Sequence, residues 1–287
     1  MQYAERFVSV PDGLHLFVRD YAAVGAPRNV PVVCIHGLTR NSADFEDIAP
    51  VIAAMGRRVL AVDVRGRGKS GWDPDPTRYR PDVYTGDVVH VMDSLKIDHA
   101  AFIGTSMGGL IAMLLSAVVP QRVAAAVLND IGPVVNPSGL ARIAGYVGKV
   151  TSFDSWDAVI AAIRATNGVA FPDADDAFWR SMARRVARAR EDGKIIFNYD
   201  PAIARAFDQP PGTSPPNLKP FFETLREKPV LVVRGALSDL LAPEGVEAMR
   251  QIKPDIDYAE VPRVGHAPML DEPVAREALE RFLGRLA

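Results

Sequence analysis

A single cysteine, Cys34, stands among the 287 residues. No intramolecular disulfide can form, so the fold must be held by its core. Cys34 lies inside the apolar run Pro31 to Ile35 and is most simply a small buried side chain. An excess of one charge is also missing. The 33 Lys and Arg face 35 Asp and Glu, a net charge of −2, which removes the electrostatic reason to expect nucleic acid or an anionic membrane as a partner. The longest helical apolar stretch, Leu110 to Val119, falls well short of the ~20 residues that span a bilayer. Met1 to Arg6 offers neither a basic start nor an apolar h-region, which argues against a secretory leader, and a cytoplasmic location is the default expectation. Histidine is scarce too: there are five, few enough to weigh one by one.

What is present is enough apolar residue, 48% of the chain, to bury a full core. An initial hairpin is expected at Phe7 to Val10 and Leu14 to Asp20, around Pro11-Asp12-Gly13. Further strands are expected at Val32 to His36, Arg58 to Val62, Ala100 to Gly104, Val123 to Leu128, Val230 to Arg234 and Ile256 to Val261. Strands alternating with helices predict an α/β fold, a mostly parallel eight-stranded sheet with helices on both faces. Between Gly132 and Lys228 the strand pattern gives way to helical periodicity and scattered aromatics. The expected organisation is a core of residues 1–132 and 229–287 with a helical cap inserted at 133–228. The cap would return through the stiff, proline-rich Gln209 to Pro216. Most of its aromatics are expected to serve the cap's own small core.

The motif that carries chemistry is Gly104-Thr105-Ser106-Met107-Gly108, a G-x-S-x-G pattern between a predicted strand and a predicted helix. A turn this sharp strains its central residue and crowds the positions two before and two after, so both need glycine. It exposes the Ser106 hydroxyl at the N-terminus of the helix. Serine needs a histidine to take its proton and a carboxylate to orient that histidine. His15 alternates out of a strand, His90 falls in a helix, and His99 sits in a polar turn, so surface roles are expected for all three. His36 ends a buried strand before Gly37. His266, on the loop Val264-Gly265-His266-Ala267-Pro268, remains as the base.

Two acids compete for the third role. Asp239 follows the strand Val230 to Arg234 and shortly precedes His266, and it is the expected acid. Asp130 follows the strand Val123 to Leu128 and has a similar claim, at least as a residue bordering the site.

With these residues assembled, the chain resembles the α/β-hydrolase family over nearly its whole length. His36-Gly37-Leu38 is similar to the HG oxyanion motif after the third strand. Asp63-Val64-Arg65-Gly66-Arg67-Gly68-Lys69-Ser70 is similar to the D-x-R-G-x-G-x-S loop after the fourth, a mostly architectural segment. The resemblance implies the triad Ser106, Asp239 and His266, with an oxyanion hole formed by the backbone N–H groups of Leu38 and Met107. His36 and Gly37 would order that loop. Serine at 106 disfavours the alkyl-ester chemistry of members with aspartate at this position.

The implied activity is that of a serine esterase, acting on a small-molecule carboxylic ester through an acyl-enzyme on Ser106, with no metal and no organic cofactor. The same triad also serves C–C bond hydrolysis, lactone opening, thioester hydrolysis and cofactor-free perhydrolysis, and the fold also hosts small-molecule receptors. Neither the physiological substrate nor an oligomeric state follows from the chain. Arg180, Arg184 and Arg188 fall at i, i+4 spacing, with Arg185 and Arg190 beside them; they could hold an anionic substrate tail, but a solvated helix face is the expectation.

Overall fold

The computed structural model describes residues 2–28, 30–150, 152–207 and 217–286. In chain order the first half comprises β1 (Ala4–Ser9), β2 (His15–Tyr21), β3 (Val32–Ile35), α1 (Ile48–Ala54), β4 (Val59–Val62), α2 (Pro81–Ser94), β5 (Ala100–Thr105), α3 (Met107–Val118) and β6 (Val123–Asn129). Then come α4 (Pro137–Tyr146), α5 (Trp156–Asn167), α6 (Asp176–Val186), β7 (Ala187–Ala189), β8 (Ile195–Phe197) and α7 (Lys219–Glu223). The chain closes with β9 (Val230–Gly235), α8 (Pro243–Ile252), β10 (Asp257–Val261) and α9 (Pro273–Gly284).

Eight of these strands form one sheet in the order β1-β2-β4-β3-β5-β6-β9-β10. Its six members from β4 to β10 run parallel, and β2 is antiparallel to both of its neighbours. The inner strands read as unbroken apolar runs because both faces are covered. Along β3 the pleat sends Val33 and Ile35 into the core under α2, α3 and α8, while Val32 and Cys34 pack with α1 and α9. β5 splits the same way, Phe102 to one side and Ile103 to the other.

β3 is flanked by β4 on one side and β5 on the other. The chain therefore reverses its direction across the sheet between β3 and β5, and loops leaving the carboxyl ends of these two strands diverge and leave a crevice. The HG loop and the G-x-S-x-G turn both open into it.

Between β6 and β9 the chain leaves the sheet. α5 and α6 build a separate small core from Val159, Ile163, Trp179, Met182 and Val186, with Phe171 and Phe178 packed edgewise on Trp179. The short antiparallel pair β7 and β8 was not anticipated from the sequence; three-residue strands are too short to show a period. The proline-rich return at Gln209 to Pro216 lies outside the described residues. No helix among the described residues is long and apolar enough to cross a membrane.

The arginines expected on one helix face divide between two elements. Arg180 and Arg184 are exposed on α6, where Arg184 lies 5.7 Å from the Trp156 ring, while Arg188 is exposed on β7. Arg185 pairs with Asp47, and Arg190 pairs with Asp192. None of the five lines the cavity that holds Ser106.

Candidate active site

Ser106 caps the junction of β5 and α3 at φ 51°, ψ −113°, a left-handed φ that a serine adopts only where its surroundings impose it. A Cβ on Gly104 would lie 2.3 Å from the Gly108 carbonyl carbon, and one on Gly108 would lie 2.0 Å from Ile35 O. Those approaches are possible only for glycine, and they let α3 start directly against the ends of β5 and β3. Ser106 N–H donates to Asn129 O at 2.9 Å. The elbow is thereby fastened to the end of β6.

His266 arrives on the loop between β10 and α9. Gly265 N–H donates to Ala170 O at 2.7 Å and Leu237 N–H to Val264 O at 2.8 Å, and the Asn129 amide donates to Pro268 O at 2.8 Å and to Thr105 Oγ1 at 3.0 Å. Asn129 thus ties the histidine loop to the strand that ends beside Ser106. Within this frame His266 Nε2 lies 2.9 Å from Ser106 Oγ, and Nδ1 lies 2.7 Å from Asp130 Oδ2. A carboxylate oxygen accepts, so Nδ1 carries the proton and Nε2 is left to accept from the serine hydroxyl.

The carboxylate facing His266 is therefore that of Asp130, and the expectation for Asp239 is corrected. Asp239 is engaged elsewhere: Arg142 of α4 donates to both of its oxygens, Nε to Oδ2 at 2.5 Å and Nη2 to Oδ1 at 2.9 Å. That hydrogen-bonded fork holds its carboxyl below the usual range. The physical reason lies in where the two loops turn. Asp130 follows β6 immediately, with its N–H on Val233 O at 2.7 Å and a left-handed φ of 56°. This folds its side chain back over the strand ends. There it is wholly buried and also accepts from Gly235 N–H at 2.9 Å and from the Ser238 hydroxyl. Asp239 comes after Ala236, Leu237 and Ser238, by which point the loop has moved outward to meet the inserted segment.

Leu38 and Met107 have backbone N–H groups that meet no acceptor among the described residues. For Met107 this is the ordinary condition of a first helical residue. The Leu38 N–H shares a peptide plane with Gly37 O, and His36 Nδ1 lies 2.7 Å from that oxygen. In a trans peptide the two groups point oppositely, so His36 holds the carbonyl back and turns the N–H outward. His36 Nε2 in turn accepts from Val64 N–H at 3.0 Å, which fixes the Nδ1–H tautomer.

Complete burial pushes the His36 imidazole down to about 4. Below its unfolded value near 6.5 the unfolded chain takes up a proton that the fold refuses. Stability is full above pH 6.5, falls between 6.5 and 4, and levels off below. The loss amounts to about 3 kcal/mol, because each tenfold difference in proton affinity between the two states is worth about 1.36 kcal/mol. Urea midpoints at pH 7.5, 6 and 5 should decline more steeply for the wild type than for His36→Gln. Parallel declines would assign the acid sensitivity to other groups.

The crevice encloses a small cavity of about 80 Å³ that opens to solvent. Its apolar lining includes Ile143, Phe171, Met269 and Leu270, and its polar lining includes Arg40, Tyr146 and Asn167 beside Ser106 and His266. Arg40 is held by both oxygens of Asp44. Phe171 is one of the scattered aromatics of the inserted segment; the other lining residues named carried no sequence signal, because the inserted segment and the His266 loop bring most of them in. His15, His90 and His99 stand apart from the crevice.

Comparison with known proteins identifies the family to which this frame belongs. The family model for the alpha/beta hydrolase fold matches residues 30–273. The chain belongs to the α/β-hydrolase family. A solved α/β hydrolase from Novosphingobium aromaticivorans shares 41% identity, covers 99% of each chain and superimposes with a TM-score of 0.91. The 3-hydroxybutyrate-oligomer hydrolase of Cupriavidus necator is 36% identical over 274 residues, 92% of this chain and 91% of that one. A 2-(acetamidomethylene)succinate hydrolase from Mesorhizobium japonicum is 27% identical over 80% of this chain and 79% of its own. Hydrolases named for different substrates are thus similar to this chain across most of their length, as expected where one fold hosts many activities.

Proposed function

We propose that this α/β hydrolase is a serine esterase that cleaves carboxylic esters through an acyl-enzyme on Ser106, with His266 as base and Asp130 as the orienting acid. The observation that carries the reading is the unbroken hydrogen-bond chain Ser106 Oγ to His266 Nε2 at 2.9 Å and His266 Nδ1 to Asp130 Oδ2 at 2.7 Å. Ser106 Oγ bonds to the ester carbonyl carbon while its proton passes to His266, and the carbonyl π pair becomes an oxyanion facing the N–H groups of Leu38 and Met107. As the tetrahedral centre collapses, the C–O bond to the alcohol breaks and His266 returns the proton to the departing oxygen. Water then repeats the sequence on the acyl-enzyme and releases the acid. The segment 133–228 acts as the cap that closes the crevice and selects the substrate.

Within esters, we propose short hydroxy-acid oligomers as the first class to test. The likeness to the 3-hydroxybutyrate-oligomer hydrolase over nine-tenths of both chains supports this choice. A crevice lined by both apolar and polar side chains suits a short chain of alternating methyl and ester groups.

The test is turnover of p-nitrophenyl esters from acetate to palmitate, and of linear 3-hydroxybutyrate dimer and trimer, with Ser106→Ala in parallel. Multiple turnovers on short esters that vanish in the variant are expected, with the oligomers cleaved to monomer. Ser106-independent turnover, or none on any ester, would overturn the esterase reading. Cleavage of p-nitrophenyl esters without cleavage of the oligomers would overturn the substrate class alone.

A further inference from the structure

Arg67 is wholly buried, yet no carboxylate lies within ion-pair distance of it among the described residues. Its neighbour Arg65, equally buried, is gripped by Asp73 and Asp87. Arg67 instead lies between two aromatic rings, with its guanidinium carbon 4.9 Å from the Tyr84 centroid and 5.6 Å from that of Tyr79. Nη1 donates to Arg65 O at 2.7 Å and to the Tyr84 hydroxyl at 2.9 Å. The other two donors go to one place: Nε to Leu38 O at 2.9 Å, and Nη2 to the Met107 sulfur at 3.7 Å.

A cation buried without a counter-ion is costly, and aromatic faces and neutral acceptors offset only part of that cost. A thioether is a poor partner for a guanidinium N–H. The arrangement makes little sense as a stabilising contact. It makes sense as a fixed positive charge behind Leu38 and Met107, the two residues whose N–H groups face the reacting carbonyl. His36 holds the peptide before Leu38 and Arg67 holds the one after it, so both carbonyls of the loop are drawn back from the crevice.

We propose that Arg67 is a positioning residue for the oxyanion hole, pinning the Leu38–Thr39 peptide and presenting an uncompensated guanidinium charge behind the developing oxyanion. The inference rests on the esterase reading above. The backbone around Arg67 is bracketed by the inserted segment: Gly68 N–H donates to Asn198 O and Asp200 N–H to Gly66 O, both at 2.8 Å, and Arg67 bridges Tyr199. The arm that carries this charge is therefore held by the same segment that closes over the substrate.

A trifluoromethyl ketone separates this role from a structural one. Ser106 Oγ adds to its carbonyl carbon, the proton passes to His266, and the carbonyl oxygen becomes a stable oxyanion. The alcohol of the same skeleton fills the crevice without one. In Arg67→Met, which fills the slot between the tyrosines, kcat is expected to fall about tenfold to a hundredfold, with ketone affinity falling in step. KM and alcohol affinity should change by less than about twofold, since only interactions made in the charged state are lost. Arg67→Lys, retaining the cation, should recover part of both losses. If Arg67→Met does not fold, Arg67→Gln keeps a donor for Leu38 O without the charge and allows the same comparison.

A folded variant with wild-type kcat and ketone affinity would overturn the inference, as would equal losses for ketone and alcohol. In those cases the wild type still forms a Ser106-dependent ketone adduct and the esterase reading stands. A wild type that forms no such adduct would overturn both.

Discussion

Replacing Ser106 with alanine is expected to lower kcat for ester hydrolysis by about 10⁶-fold while leaving the folded structure in place. The size follows from losing the only atom that can bond to the substrate carbonyl, together with the proton that His266 is set to take at 2.9 Å. What remains is a crevice with two N–H groups and ordinary binding, enough for some residual rate over water of about 10³-fold in other triads. The fold should survive because the strain at residue 106 is in the backbone. Its φ of 51° is imposed by β5, α3 and the approaches at Gly104 and Gly108, and alanine meets the same surroundings with a smaller side chain. Stopped-flow hydrolysis of a short p-nitrophenyl ester, beside a urea melt of both proteins, checks each half. Activity within tenfold of wild type in a folded variant would remove Ser106 from the mechanism.

Asp130→Asn is expected to cost about 10⁴-fold in kcat, and Asp239→Asn only a few-fold. An amide at residue 130 has one oxygen and one NH2 group where Gly235 N–H, the Ser238 hydroxyl and His266 Nδ1 all present hydrogens. One of these contacts must become donor to donor, and the imidazolium formed during acyl transfer loses its counter-charge in a buried site. The Asp239 substitution breaks a fork with Arg142 at the edge of the inserted segment. Its consequence is a looser α4, read as a raised KM more than a lowered kcat. Comparing kcat and KM for the two variants on one substrate decides between them, and a larger kcat loss in Asp239→Asn would return the role of acid to that residue.

Much of this site was legible because its strongest signals are local. The elbow is a steric statement about five adjacent residues. Gly104 and Gly108 are needed for contacts of a strand end with the helix that follows it, so the motif could be read without knowing the sheet. The strands were legible for a similar reason: a parallel strand covered on both faces is a short apolar run, and those runs recur along the chain. Their ends differed slightly, as at β1, which begins at Ala4 rather than Phe7. His266 followed from scarcity, since the other histidines lay in strand, helix or turn contexts that point them elsewhere.

Signals that span the chain were harder to read. Asn129, Ser238 and Arg67 act through partners far along the sequence: Asn129 on Pro268, Ser238 on Asp130, Arg67 on Leu38. Each reads in sequence as an ordinary polar residue at the end of a strand or in a loop. The crevice lining was hidden for the same reason, being assembled from the HG loop, the inserted segment and the His266 loop.

The α/β class follows from the amino-acid sequence alone, and so does the choice of Ser106 and His266 as candidates, because each rests on local sterics, hydrophobic period or elimination among few candidates. The choice between Asp130 and Asp239 needed the folded chain. Both acids follow neighbouring strands of the sheet, β6 and β9, and chain order alone favoured the later one. The left-handed turn at Asp130 directs one carboxylate inward to His266, and Arg142, brought by the inserted segment, holds the other outward. Which carboxylate meets the imidazole depends on where a strand ends and on a cation 97 residues away in the chain, neither of which the spacing of acid and histidine records.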